Sequence, residues 1–206
     1  MKKYKLYIFD LDLTAVDSIE SSIYCYKAAF EAIGLKFDES KTNSYLNMNL
    51  EELYYQIEAE APNCGYKFYD AFVKESATAF AKYGKFYPEV PFVFSKIVEN
   101  GGRVGLFTNR NKHDIEAILD ANPEIKKCVT SYVGSDMVKN MKPDPEGIYY
   151  CMEKEGVSKE DVLYVGDSPC DYEAAQKAGV DFFYIDRFLN KAAPVESHTT
   201  LEDMVK

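Results

Sequence analysis

Residues 4–18 read YKLYIFDLDLTAVDS, an apolar run that ends in two aspartates. The segment Tyr4–Phe9 is rich in residues that favour extended structure and predicts the first strand. Asp10 and Asp12 follow at a spacing that places both side chains on the same side of an extended chain. Because neighbouring carboxylates repel each other, a divalent cation would relieve the strain at such a site. The stretch therefore predicts a strand that presents two carboxylates to one site, and the alternative interpretation is a solvated acidic turn.

The chain beyond residue 18 shows two different patterns. Residues 18–84 carry apolar positions at three- and four-residue steps without a convincing strand, which predicts a small all-helical insertion. From residue 85 onward, helical patterns alternate with short apolar strands. The predicted strands of this part are Arg103–Phe107, Val129–Val133, Val162–Val165 and Phe182–Ile185. This alternation indicates an α/β fold, in which helices cover both faces of a parallel sheet.

The composition limits the kinds of partner that the protein can have. The chain has 206 residues, a net charge of −10 and 47% hydrophobic residues. Its acidity disfavours nucleic acid and anionic membranes as partners, and no apolar run is long enough to span a bilayer. The five cysteines include no Cys-X-X-Cys pair, so neither a disulfide framework nor a zinc site is indicated. We expect a cytoplasmic protein, monomeric or weakly dimeric, with a small molecule as its partner.

Polar residues that are candidates for catalysis or ligand binding lie just beyond the predicted strands or in loops. They are Asp10 with Asp12, Thr108 with Asn109, Lys142 before Pro143, and Asp167 with Ser168 and Asp171. In a parallel α/β sheet, active sites form where the carboxyl ends of the strands meet. One topological rule would therefore bring groups that are distant in sequence into a single crevice, and this convergence is stronger evidence than any one motif.

The aspartates suit the two roles that a covalent phosphoryl transfer needs. Asp10 can bind a metal ion and attack phosphorus as a nucleophile. Asp12 can donate a proton to the leaving oxygen and later accept one from water. Asp167 can complete a Mg²⁺ site with Asp10 and Asp12, while Asp171 can hold the neighbouring lysine or a metal-bound water from behind.

The remaining groups suit the binding of a phosphoryl group. Thr108 and Asn109 can hold one of its oxygens, and Lys142 can neutralise its charge together with that of Asp10. Viewed singly, each has a more common explanation. A Thr-Asn pair is typical of turns and helix caps, a lysine before proline is typical of an exposed helix start, and paired acids often cap helices.

Taken together, these segments resemble the conserved motifs of one known family. Residues Ile8–Ser18 (IFDLDLTAVDS) resemble the opening motif of the haloacid dehalogenase-like superfamily, in its phosphatase branch. Thr108, Lys142-Pro143 and Gly166–Asp171 (GDSPCD) are similar to its second, third and fourth motifs, in the right order. The resemblance covers essentially the whole chain, and the most similar subgroup is that of phosphoglycolate phosphatase.

The resemblance implies both an architecture and a reaction. It implies a Rossmann-like catalytic core, residues 1–17 and 85–206, and a helical cap, residues 18–84, inserted after the first strand. It also implies Mg²⁺-dependent hydrolysis of a small phosphate monoester through an aspartyl-phosphate on Asp10. Asp12 would act as general acid and base, and Ser168 with Asp171 would support the site from outside the reacting groups.

Two single positions and one loop depart from the usual pattern of the family. Leu13 stands where glycine is usual between the second aspartate and the threonine, and Glu89 stands where glycine usually follows the cap. In the cap, Asn47-Met48-Asn49 replaces a loop that commonly contains glycine. These residues are not among the reacting groups, but they leave the identity of the substrate open.

Other functions on the same fold stay open. A dehalogenase of this superfamily lacks the second carboxylate and the metal, so Asp12 and Asp167 argue against it. A sugar-phosphate mutase typically has a histidine in or near the cap, whereas His113 and His198 lie outside it. A pyrophosphatase or a nucleotidase is a further alternative within the superfamily. A non-catalytic binding or regulatory protein is the alternative of another class, and the presence of both Asp10 and Asp12 argues against it.

Overall fold

A six-stranded parallel sheet is the larger of two sheets in this computed structural model, which describes residues 2–48, 50–189 and 194–205. The strands of the described residues are β1 (Leu6–Phe9), β2 (Val16–Asp17), β3 (Lys85–Phe86), β4 (Arg103–Phe107), β5 (Val129–Val133), β6 (Val162–Gly166), β7 (Asp181–Ile185) and β8 (Ser197–His198). The sheet has the order β5-β4-β1-β6-β7-β8, and its neighbouring strands are paired in parallel. The pair β2 and β3 forms a separate antiparallel ladder.

The middle of the sheet is buried on both faces. Every residue of β1 (LYIF) and of β6 (VLYVG) is buried. Successive side chains of a strand point to opposite faces of the sheet, so a strand with every side chain buried must be covered on both faces. This is the usual situation of a parallel sheet in an α/β fold. The predicted fold class is therefore confirmed. Two of the predicted strands, Arg103–Phe107 and Val129–Val133, are observed with the predicted bounds.

The α-helices connect the strands and form the insertion. Those of the described residues are α1 (Ile19–Ala32), α2 (Thr42–Asn47), α3 (Leu50–Glu60), α4 (Gly65–Tyr83), α5 (Val90–Glu99), α6 (Lys112–Ala121), α7 (Pro123–Lys126), α8 (Glu146–Glu155) and α9 (Pro169–Ala178). Among them, none combines the length and the apolar character that a bilayer-spanning helix requires. Local chemistry sets their ends: Pro169 occupies the first turn of α9, where its missing N–H costs nothing, and Gly179 ends that helix in the left-handed conformation.

The chain divides into two units, Met1–Asp17 with Lys85–Lys206, and Ser18–Gly84. The second unit consists of α1 to α4 and has its own aromatic core, in which the rings of Phe30 and Phe68 lie 5.0 Å apart. Asn49 and the side chain of Asn47, which belong to the atypical loop of this unit, lie outside the described residues.

The ladder of β2 and β3 lies where the chain leaves the first unit and returns to it. Val16 pairs with Phe86, Asp17 pairs with Lys85, and the amide of Tyr87 donates to the carbonyl of Ala15. Strands of two residues are too short to produce an alternating pattern, so the sequence did not predict them.

The turn after β1 is closed by its own backbone. The amides of Ala15 and Val16 both donate to the carbonyl of Leu11, and the amide of Leu13 donates to the carbonyl of Val16 at 2.7 Å. This folding places Leu13 at a φ of 58°, in the left-handed region. A residue with a Cβ is unfavourable there by about 1–2 kcal/mol, which explains why glycine is the usual residue at this position of the motif.

Replacing Leu13 with glycine should leave the free energy of unfolding nearly unchanged. Relief of the left-handed strain, about 1–2 kcal/mol, offsets the lost side chain and the greater entropy of the unfolded glycine. Leu13→Ile should instead destabilise by at least about 1 kcal/mol, because a β-branched residue tolerates positive φ poorly. Urea denaturation measures both changes. At exposed Leu35, which does not have a positive φ, the order should reverse, with glycine the more damaging substitution. The same order at both positions would contradict this account.

Candidate active site

The sheet topology brings three of the predicted site residues to one edge. Asp10 follows β1, Thr108 follows β4 and Asp167 follows β6, and these three strands are neighbours in the sheet. The amide of Asp10 donates to the carbonyl of Val165 at 2.9 Å, which ties the end of β1 to β6. Asp10 and Thr108 are buried, so the polar groups at this edge are held by the core.

Lys142 lies at the centre of this edge, although it is 132 positions away from Asp10 in sequence. Its ammonium donates to Asp10 Oδ1 at 2.6 Å and to Asp171 Oδ1 at 2.8 Å. Its side chain is only 5% exposed. A buried ammonium is stable only when it is paired, and the two carboxylates hold it charged and raise its pKa. The structure thus joins three of the residues that the sequence singled out.

Asp171 accepts hydrogen bonds on both of its oxygens. Oδ1 accepts from Lys142 and from the hydroxyl of Tyr164 at 2.7 Å, and Oδ2 accepts from the hydroxyl and the amide of Ser168. Ser168 and Asp171 together form the capping box of α9. At Gly166 a Cβ would collide with the Asp171 side chain, so this close approach requires glycine. These contacts favour Asp171 as the anchor of Lys142.

Three carboxylates lie close enough to share a cation. Oxygen atoms of Asp10, Asp167 and Asp171 all lie within 4.8 Å of one another. Burial, together with the charges of Asp171 and Asp12, raises the pKa of Asp10 to about 7 against the opposing effect of Lys142. Burial and the charge of Asp10 also raise the pKa of Asp167 well above its usual value, although Thr14 donates to its Oδ1 at 3.0 Å. The positive charge of Lys142 is therefore not enough to neutralise the three carboxylates of the cluster.

A divalent cation would supply the charge that these residues lack. The donor set is entirely oxygen, which suits Mg²⁺ or another hard ion. Asp10 and Asp167 are members of the predicted metal set and lie in the cluster. The side chain of Asp12, the third member of the predicted set, does not belong to the cluster. Asp12 would therefore bind the metal through its backbone carbonyl.

The side chain of Asp12 is held by Arg110, a residue that the sequence reading missed. Arg110 Nε lies 3.0 and 2.8 Å from Asp12 Oδ1 and Oδ2, and Nη2 lies 2.7 Å from Oδ1. The same guanidinium donates from Nη1 to Asp114 Oδ2 at 3.2 Å. The one sequence feature that could have pointed to this contact is the position of Arg110 directly after Thr108 and Asn109. An arginine next to a turn is too common, however, to predict a contact with Asp12.

The other two predicted phosphate-binding residues, Thr108 and Asn109, directly follow β4. Thr108 is buried, and its hydroxyl accepts from the amide of Arg110 at 3.3 Å. Asn109 is exposed, and its side-chain oxygen accepts from the amide of Lys142 at 3.0 Å. Asn109 thereby fixes the backbone of the lysine, a function that its motif alone did not suggest.

The structure gives a reason for Glu89, which departs from the usual glycine. Glu89 Oε1 accepts from Arg187 Nη1 at 2.8 Å, and Arg187 also donates to the carbonyl of Thr14 at 2.7 Å. The guanidinium lies 3.5 Å from the ring centre of Tyr87. Since Thr14 binds Asp167, the acidic side chain helps to fix one member of the carboxylate cluster.

Comparisons with known proteins agree with this arrangement. The family model described as haloacid dehalogenase-like hydrolase matches residues 7–185. A phosphoglycolate phosphatase of Vibrio cholerae is 26% identical over 95% of this chain and 90% of its own length. A phosphoglycolate phosphatase of Photorhabdus laumondii is 28% identical over 87% of this chain and 79% of its own.

A solved structure shows the same fold. A protein of Bacteroides fragilis that is described as a haloacid dehalogenase-like hydrolase superposes with a TM-score of 0.83. It is 24% identical and covers 98% of this chain and 100% of its own. At this identity the likeness establishes the architecture and leaves the substrate undetermined.

The charge imbalance of the cluster predicts how stability depends on pH. Because folding raises the pKa values of Asp10 and Asp167, the unfolded chain releases these protons at a lower pH than the folded chain. Stability of the metal-free protein should therefore fall as the pH rises from about 4 towards the raised values. Asp167→Asn should lessen this fall, so the variant should gain thermal stability over the wild type towards about pH 8 in the presence of a chelator.

In the matched control, Asp161→Asn, stability relative to the wild type should change in the opposite direction with pH. Lys5 lowers the pKa of half-buried Asp161, so Asp161→Asn should lose stability relative to the wild type as the pH rises. Adding Mg²⁺ should raise the melting temperature of the wild type and have little effect on Asp167→Asn. A Mg²⁺ response that survives in Asp167→Asn would show that the cation binds elsewhere.

Proposed function

We propose that this chain, which belongs to the haloacid dehalogenase-like hydrolase family, hydrolyses a small phosphate monoester with Asp10 as covalent nucleophile. The predicted family and the predicted enzyme class, a phosphatase of that family, are confirmed by the family match and the curated relatives. The observation that carries the proposed mechanism is the buried contact of Lys142 with Asp10 and Asp171 beside Asp167.

In the first half-reaction, an oxygen of Asp10 attacks phosphorus as the bond to the leaving oxygen breaks. The contact with Lys142 Nζ at 2.6 Å fixes the orientation of the attacking carboxylate, which favours a reactive approach. Asp12 donates its proton to the leaving oxygen, so the product departs as a neutral alcohol. An aspartyl-phosphate on Asp10 remains.

In the second half-reaction, water displaces the phosphoryl group. Asp12 accepts a proton from this water as its oxygen attacks phosphorus, and the acyl-phosphate bond to Asp10 breaks. Inorganic phosphate leaves, and the Asp10 carboxylate and the protonated Asp12 are restored. Lys142, Thr108 and Asn109 hold the phosphoryl oxygens through both halves.

The proposal includes a divalent cation, with Mg²⁺ as the ion. Asp10, Asp167 and the carbonyl of Asp12 would hold it, and when bound it supplies positive charge that stabilises the phosphoryl oxygens. The support from this chain is the all-oxygen donor set and the raised pKa values of buried Asp10 and half-buried Asp167.

The substrate is proposed as a small phosphorylated metabolite, with phosphoglycolate as the first compound to assay. The support is the name of the curated relatives that cover most of this chain. The division into a catalytic core, residues 1–17 and 85–206, and a cap, residues 18–84, belongs to the same proposal. A screen of phosphate monoesters, sugar-phosphate isomers, nucleotides and pyrophosphate separates this function from the mutase, nucleotidase and pyrophosphatase alternatives.

Asp10→Asn should abolish turnover while leaving the protein folded. The amide is a far poorer nucleophile and a weaker metal ligand, so both roles of Asp10 are lost together. Acid-quenched wild-type enzyme should carry a phosphoryl group on the peptide that contains Asp10, detectable by mass spectrometry, and the variant should carry none. Asp181→Asn is the control, because Asp181 is an exposed residue at the start of β7 that pairs with Lys2. Turnover by Asp10→Asn at a rate near that of the wild type would refute the covalent mechanism.

Asp12→Asn and Asp167→Asn should both lose activity, for different reasons. Loss of general acid–base catalysis at Asp12 should lower kcat by about 10²–10⁴-fold. The dissociation constant for Mg²⁺ should change less than in Asp167→Asn, since the backbone carbonyl of Asp12 is retained. Calorimetric titration with Mg²⁺ measures this ranking, and the reverse order would show that the two roles are interchanged.

A further inference from the structure

We propose that Arg110 is a positioning residue that aims the Asp12 carboxylate at the leaving oxygen. This inference rests on the proposed function, because it concerns how the general acid of that reaction is held. It adds a residue to the machinery that lies outside the motifs described above.

The contact between Arg110 and Asp12 is of the kind that fixes direction. Two nitrogens of the guanidinium donate to the carboxylate, Nη2 at 2.7 Å and Nε at 2.8 and 3.0 Å. A planar fork that holds both oxygens sets the plane of a carboxylate as well as its position. The side chain of Asp12 is 34% exposed on a turn, so its surroundings alone restrict it less than those of a buried residue.

Arg110 is itself held from the opposite side. Its Nη1 donates to Asp114, a buried residue in the first turn of α6. The amide of Asp114 in turn donates to the side chain of Asn111, which caps that helix. The side chain of Arg110 is only 14% exposed. The contacts thus run from α6 through buried Asp114 and largely buried Arg110 to the carboxylate that moves the proton.

The arrangement links two neighbouring loops of the active site. Asp12 follows β1, Arg110 follows β4, and these strands are paired in the sheet. The amide of Arg110 donates to the hydroxyl of Thr108, which is proposed to hold the phosphoryl group. The proton donor is therefore placed relative to the phosphate-binding loop. Proton transfer requires heavy atoms within about 2.6–3.2 Å, so an error of about 1 Å in this placement is costly.

A leaving-group series tests the assignment without knowledge of the natural substrate. The probes are phenyl phosphates whose substituents range from p-nitro to none, and the measured quantity is kcat/KM with Mg²⁺. A nitrophenolate leaves without a proton, whereas phenol departs more slowly unless it is protonated. Arg110→Lys keeps the charge but loses the fork. We expect it to lower kcat/KM about 10–100-fold for phenyl phosphate and only a few-fold for p-nitrophenyl phosphate.

The series also requires two reference variants. Asp12→Asn should show the same dependence on the leaving group, and Arg110→Lys combined with Asp12→Asn should be no slower than Asp12→Asn alone, because both changes disable one function. Arg103→Lys is the matched control: Arg103 begins the same strand, β4, and pairs with Glu155. It should leave the wild-type dependence unchanged. Retained Mg²⁺ affinity in Arg110→Lys would show that the fold and metal site are intact.

Three outcomes would overturn the inference. An equal loss of kcat/KM across the series would show that Arg110 acts on the phosphoryl group or on stability. Additive losses in the double variant would show that Arg110 does not act through Asp12. If Asp12→Asn kept the wild-type dependence of kcat/KM on the leaving group, Asp12 would not be the general acid. That result would contradict the proposed function itself, whereas the other two would contradict only the role of Arg110.

Discussion

The pairing of buried Lys142 with Asp10 and Asp171 is the interaction on which the rest of the site depends. Leaving a buried charge without its partner costs about 3–5 kcal/mol, so these groups hold each other in place. The lysine can approach Asp10 only because Tyr164 and the start of α9 fix Asp171 beside it. The remaining acid is Asp167, whose pKa burial and the charge of Asp10 raise by more than Lys142 lowers it.

The site is assembled at a cost to the stability of the protein. Leu13 occupies a left-handed conformation, and the carboxylates of buried Asp10 and Asp171 lie close to that of half-buried Asp167. Such features persist only where the surrounding structure over-determines them. Here the surroundings are the fully buried strands β1 and β6, and the contacts that Arg187 makes with Thr14 and Glu89. A rigid sheet therefore carries a locally unfavourable arrangement of charges, and a bound cation would reverse part of that cost.

The sequence predicted the regular elements well where they are long enough to show a pattern. The apolar strands Arg103–Phe107 and Val129–Val133 were placed with their observed bounds because strand composition changes sharply at both ends. The short ladder of β2 and β3 was missed, since two residues cannot display a period of two. The strand β8 (Ser197–His198) was missed for the same reason, and its pairing with β7 depends on the whole sheet.

By itself, the sequence determined which residue types stand at the ends of the strands, and hence that Asp10, Thr108 and Asp167 would meet. That inference needs only the two-residue period of side chains in a strand, which is a local property, and the topological rule that the carboxyl ends of parallel strands meet at one edge of the sheet. Only the tertiary structure decided that Arg110 holds Asp12 and that Arg187 holds Glu89. Each of these pairs is separated by 98 positions in the chain. Contacts at such separations depend on how side chains of different loops are oriented after packing, and no pattern along the chain encodes that orientation.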